Sequence, residues 1–165
     1  MTELNDNTAV FCVAEIPQDV LNDFFLRASS APEFANEGVD NIGVLVNTID
    51  LSTITGPTKP PVPTQTSFPF LNKTPEEIWD FAQRNVRPPI FNRALAILDG
   101  RTREDKATCL LVTQWENPRK GQEGQLLKVR SDFRSALAIL NVKNLGIGGD
   151  EHFRAGVDGI VRLDG

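Results

Sequence analysis

The chain alternates between two hydrophobic periods, one suited to strands and one to helices. Residues 8–16, Thr-Ala-Val-Phe-Cys-Val-Ala-Glu-Ile, form a β-branched and aromatic run that predicts a buried strand. Pro17 then suits a turn or a first helical position. Val20, Leu21, Phe24, Phe25 and Ala28 follow at helical spacing, and this helix is expected to end before Ser29-Ser30-Ala31-Pro32. Residues 30–41 read as a loop, and a second strand falls within Ile42–Ile49 around Gly43-Val44-Leu45-Val46. From Leu51 to Asn72, Pro57, Pro60, Pro61, Pro63 and Pro69 are interleaved with Thr and Ser. Proline withholds the donors that a ladder or helix needs, so this segment reads as a long loop, an insertion or a partly disordered arm.

Thr74-Pro75-Glu76-Glu77 is the sharpest local signal. A threonine three residues before a glutamate makes a capping box, and proline fits the first helical position. The helix it opens carries Ile78, Trp79, Phe81 and Ala82 toward the core and stops near Val86-Arg87-Pro88-Pro89. Residues 92–98 and 107–115 read as two central strands around Asp99-Gly100-Arg101-Thr102, a favoured turn sequence. A polar Gly/Pro loop over 116–124 leads to a strand over Leu126–Arg130. Ser131 can cap a helix bearing Phe133, Ala136, Leu137 and Leu140. Leu145-Gly146-Ile147 reads as a short strand, Asp150 as the cap of a brief helix with Phe153 and Val157 turned inward, and Gly159–Leu163 as a terminal strand. The expected fold class is α/β: a single domain with a mixed sheet of about five or six strands and helices packed on it.

Composition narrows the function classes. At 165 residues the chain fits one domain and can bury roughly 70% of its unfolded surface without staples. Its net charge of −5 argues against nucleic acid and against anionic membrane as partners. The polar, acidic start, Met1–Asn7, is unlike a signal peptide, and no apolar run approaches a membrane span, so a soluble, cytoplasmic protein is expected. In that setting the sequon Asn72-Lys73-Thr74 is accidental. Cys12 and Cys109 lie in apolar runs and read as buried, reduced thiols. One histidine and two distant cysteines make no metal site, and no cofactor motif is visible.

The segment from Phe91 to Leu163 resembles an uncharacterised bacterial and fungal family, a domain of unknown function. The likeness is carried by Ala94–Leu98, Asp99-Gly100-Arg101-Thr102, Thr108–Val112, Leu127–Arg130, Asn144-Leu145, Asp150–Phe153 and Asp158-Gly159-Ile160. Gly146, Gly148 and Gly149 stand where the family has a longer Asn-Met-Asp-Phe-like stretch. The resemblance implies an α/β fold and no substrate.

The candidate chemistry is sparse. Asp99 and Arg101 leave a strand end, where α/β sheets often bind ligands; the plainer account is a surface turn with Arg101 paired to Glu104 or Asp105. His152, flanked by Asp150, Glu151 and Arg154, is the natural acid or base, or simply a solvent-facing residue. The glycines before Asp150 suit an anion cradle or a tight turn, but match no nucleotide-binding fingerprint. Trp79 reads as core and Trp115 as the better interaction residue; Arg119, Lys120, Lys128 and Arg130 read as a solvated basic patch. Catalytic candidates are therefore His152, Asp99 and Arg101, and ligand-binding candidates are Arg101, Asp150 and Trp115, with a pocket expected where the strands ending at Leu98 and Ile147 meet. Three classes follow: an accessory or binding protein for a small molecule or protein partner, a small cofactor-independent enzyme tailoring a metabolite, or a regulatory or structural module of a larger assembly.

Overall fold

The computed structural model describes residues 7–32, 34, 42–146 and 150–163. Six strands form one mixed sheet: β1 (Asn7–Cys12), β2 (Gly43–Val46), β3 (Ile90–Leu98), β4 (Thr108–Gln114), β5 (Leu126–Asp132) and β6 (Ile160–Val161), in spatial order β2-β1-β3-β4-β5-β6. β1 runs parallel to β2 and β3, β5 is parallel to β6, and the pairs around β4 are antiparallel. Four α-helices accompany the sheet among the described residues: α1 (Gln18–Ala28), α2 (Pro75–Asn85), α3 (Gly100–Asp105) and α4 (Phe133–Leu145).

Alternation along β1 divides the core. Val10 and Cys12 face α1 and α4, where Phe24 stacks edge-on against Phe25 and Phe133 at ring separations of 5.0 and 5.2 Å. Ala9 and Phe11 face the other side, with Ile78, Trp79 and Phe70. All of β1 is buried, as expected of a strand covered on both faces. It ends at Cys12, four residues earlier than its composition suggests, where the Val13 amide bonds the Leu98 carbonyl and the chain bends.

The Thr74 box forms as expected, with Thr74 Oγ1 accepting from the Glu77 amide at 3.1 Å and Glu77 Oε1 accepting from the Thr74 amide at 3.1 Å. Four local readings are corrected. Asp99 opens α3 instead of a simple turn, because its carboxylate accepts from the Thr102 amide and the Thr102 hydroxyl accepts from the Asp99 amide. The cap of α4 is Asp132, accepting from the Ser135 amide, while Ser131 stays in the ladder. Leu145 ends α4 and Gly146 is its left-handed C-cap, so neither begins a strand; Ile147, Gly148 and Gly149 lie outside the described residues, as does most of 30–41. Asp150–Phe153 is a 3₁₀ turn with Phe153 buried, but Val157 is fully exposed.

The proline-rich arm packs against the domain. Its Thr58 amide donates to the Gly43 carbonyl, and the Thr58 hydroxyl accepts from the Leu45 amide, so the arm occupies the open edge of β2. Val62 and Phe70 are buried, and the Val62 amide donates to Asn22 Oδ1 on α1. Prolines exclude a ladder strand here, but isolated side-chain and backbone bonds still anchor the segment.

Candidate functional site

The most distinctive backbone feature is a large bulge in β3. Thr8 pairs with Phe91 and Val10 with Ala96, so Ala9 alone stands opposite Asn92, Arg93, Ala94 and Leu95. Bulges bend a strand and re-aim its side chains. This one is bolted on several sides. Asn144, from the last turn of α4 and only 2% exposed, accepts from the Ala94 amide at 2.8 Å and donates to the Ala94 carbonyl and Thr8 Oγ1 at 3.1 and 3.0 Å. Thr113 Oγ1 on β4 donates to the Arg93 carbonyl at 2.7 Å, and Gln83 on α2 donates to the Asn92 carbonyl at 2.7 Å.

The bulge carries Arg93 to the end of the sheet. Its guanidinium lies over Gly146, close enough that a Cβ there would sit 2.9 Å from Nη1. The negative end of the α4 dipole favours a cation at this point. Among the described residues no side chain forms an ion pair or hydrogen bond with that guanidinium, so its donors stay open. It faces a cavity of about 210 Å³ lined by Trp79, Gln83, Thr113, Trp115, Glu116 and Lys143. One tryptophan comes from the α2 side of the sheet and the other from the α4 side, so the cleft opens over the end of the sheet between its two layers.

The floor is a buried ion pair. Lys143, 6% exposed, places Nζ 3.0 Å from Asp150 Oδ1 and 3.9 Å from Glu116 Oε1. Asp150 also accepts from the Glu116 and Asn117 amides at 3.2 and 3.5 Å. Partial burial opposes its charge, but these amide bonds and Lys143 outweigh that and hold the carboxyl below the usual range. Beyond the pair lies a second cavity of about 310 Å³, whose lining includes Trp115, Arg119, Gln122, Asp150 and Arg154.

The sequence candidates separate. Asp150 and Trp115 belong to this cleft. Asp99 and Arg101 sit at the opposite end of the sheet, since β3 and β4 are antiparallel and Ile97 pairs with Leu110 while Ala94 pairs with Thr113. The expected convergence of Asp99, Arg101 and His152 in one pocket therefore does not occur. Asp99 is a structural partner: Arg130, 9% exposed, grips both its carboxylate oxygens at 2.6 Å and also bonds Thr108 and Thr102. Burial raises the Asp99 pKa, but the Arg130 and Thr102 bonds more than offset this and hold it below the ordinary value. Arg101 makes an exposed pair with Asp105 at 3.5 Å. The expected basic patch is likewise dispersed, with Arg130 buried and Lys128 paired to Glu76 at 2.7 Å. His152 lines neither cavity; its half-exposed ring lies 3.6 Å from Glu151. Cys12 and Cys109 are buried and free, and burial pushes the Cys12 thiol up to about 12 and Cys109 up as well.

Arg93, Lys143 and Asn144 were missed. The only signal in the sequence was an arginine interrupting an apolar strand and polar residues ending an apolar helix. A larger cavity, about 390 Å³, lies beside α2 with Ile49, Phe70 and Phe81 at its apolar side. Its rim carries Lys73 ahead of the helix and Glu77, Asp80 and Arg84 along it, two charges of each sign, so no single charge dominates it. Among the described residues no His, Cys, Asp or Glu cluster is arranged to hold a metal, and no helix is long and apolar enough to cross a membrane. No family model, curated protein or solved structure matches the chain.

Proposed function

We propose that this protein is a binding or accessory protein of the cytoplasm whose cleft takes a small planar carboxylate. The observation that carries this reading is the open Arg93 guanidinium, set on a pinned bulge and lining one cleft with Trp79 and Trp115. A guanidinium matches a carboxylate in bidentate geometry, and an indole face suits a flat apolar body. Lys143 is already engaged by Asp150, so one open cation remains in the first cavity, which favours a monoanionic group over a phosphate. The thiols are buried and the histidine lies outside the cleft, which supports binding over thiol or imidazole chemistry there. A net charge of −5 supports a ligand other than nucleic acid. Membership in the domain-of-unknown-function family is part of the same proposal and rests on the residues from Phe91 to Leu163.

The chain has two tryptophans and no tyrosine, and both tryptophans line the cleft. Tryptophan emission therefore reports this site alone. Titration with aromatic carboxylates should change the emission saturably, while the corresponding neutral amides should not. An equal response to acids and amides would refute the reading.

A further inference from the structure

The two cavities flanking Trp115 share a wall. Trp115 lines both, and the Lys143–Asp150 pair has its cation in the first and its carboxylate in the second. At about 210 Å³ the first is smaller than the roughly 300–1,000 Å³ of typical ligand sites, whereas a ligand reaching past Trp115 would also use the adjoining 310 Å³. The second cavity carries its own cations. Arg119 comes from the loop after β4 and Arg154 follows the 3₁₀ turn, and among the described residues neither guanidinium has a side-chain partner. Two carboxylates also face this space. Asp150 is neutralised by Lys143 and two backbone amides, and Glu151 lies beside His152. Counting Glu151 against them, the two arginines still leave this space with a net positive charge for a ligand.

We infer that the ligand is a dicarboxylate with a flat apolar spacer, one acid at Arg93, the spacer against Trp115, and the second acid between Arg119 and Arg154. This rests on the carboxylate reading of the first cavity and extends it to specificity. A single open cation would select any flat acid, while cations on both sides of one indole select the length and second charge.

The test compares benzoate with terephthalate and biphenyl-4-carboxylate with biphenyl-4,4′-dicarboxylate by isothermal titration calorimetry. In at least one pair the dicarboxylate should bind about tenfold more tightly, the worth of one charge-assisted hydrogen bond. That advantage should vanish in an Arg119→Ala, Arg154→Ala double variant whose affinity for the monocarboxylate is unchanged. Equal affinities within both pairs, or an advantage that survives the double variant, would overturn the inference while leaving the monocarboxylate reading intact. Failure of all four acids to bind would overturn both.

Discussion

Replacing Asn144 by alanine tests whether the bulge is pinned as the geometry implies. The side chain is 2% exposed and makes three hydrogen bonds, two of them closing the amide and carbonyl of Ala94. Each such bond contributes about 1 kcal/mol net, and a buried group left unpaired costs about 1–3 kcal/mol. The expected loss is about 3 kcal/mol, since both Ala94 groups lose a partner in a site closed to water. With a urea slope of about 2 kcal/mol/M, the unfolding midpoint should fall by about 1.5 M. Asn141, one turn earlier on α4, is the control: its Oδ1 is buried with no partner among the described residues, so Asn141→Ala should cost little or stabilise. The Asn144 variant should also bind aromatic carboxylates more weakly, because Arg93 rides on the released segment. Equal midpoints for the two alanine variants would refute the pinning argument.

Three further outcomes are expected. Thr74→Ala should cost ~1 kcal/mol in chemical denaturation through loss of the α2 cap, and an unchanged midpoint would count against capping. Asp99→Asn should destabilise by about 3 kcal/mol at neutral pH by stranding buried Arg130. Because the folded Asp99 pKa is depressed, its contribution is present above the unfolded value of about 3.9 and is lost as pH falls through the folded value; the gap between wild type and variant should therefore close in acid, and a gap constant with pH would contradict the assignment. Cys12 and Cys109 should react slowly with a thiol reagent in the native protein and rapidly after unfolding, whereas fast native labelling of either would mean that its strand opens.

Local chemistry made much of the fold readable. The box at Thr74, the helical stripe from Val20 to Ala28 and the apolar runs of β3 and β4 each act within a few residues and appear where expected, and β1 forms over the first part of its run. Some misreadings were of local caps, at Asp99, Asp132 and Gly146, and others came from contacts between segments distant in sequence. Asp99-Gly100 reads as a turn until Thr102 closes a reciprocal cap and Arg130, 31 residues away, fixes the carboxylate. The arm reads as loose until Thr58 and Val62 find β2 and α1. The cleft was the least legible part. Trp115 was identifiable as a strand-end aromatic and Asp150 as polar and capping, but nothing local indicates that Asn144 lies against Ala94, or that Arg93 lines one cleft with both tryptophans. A bulge depends on pairing register, which a single strand's pattern does not encode.

The most direct measurement follows the two indole N–H resonances by NMR during titration with an aromatic carboxylate, in the wild type and in Arg93→Met. Both indoles belong to the cleft and no others exist to confuse them. The account predicts that both wild-type resonances shift along one saturable curve, and that Arg93→Met, folded with an unchanged unfolding midpoint, needs about tenfold or more ligand to reach the same shift. Indole resonances that do not move, or that move identically in the two proteins, would contradict a carboxylate site built around Arg93.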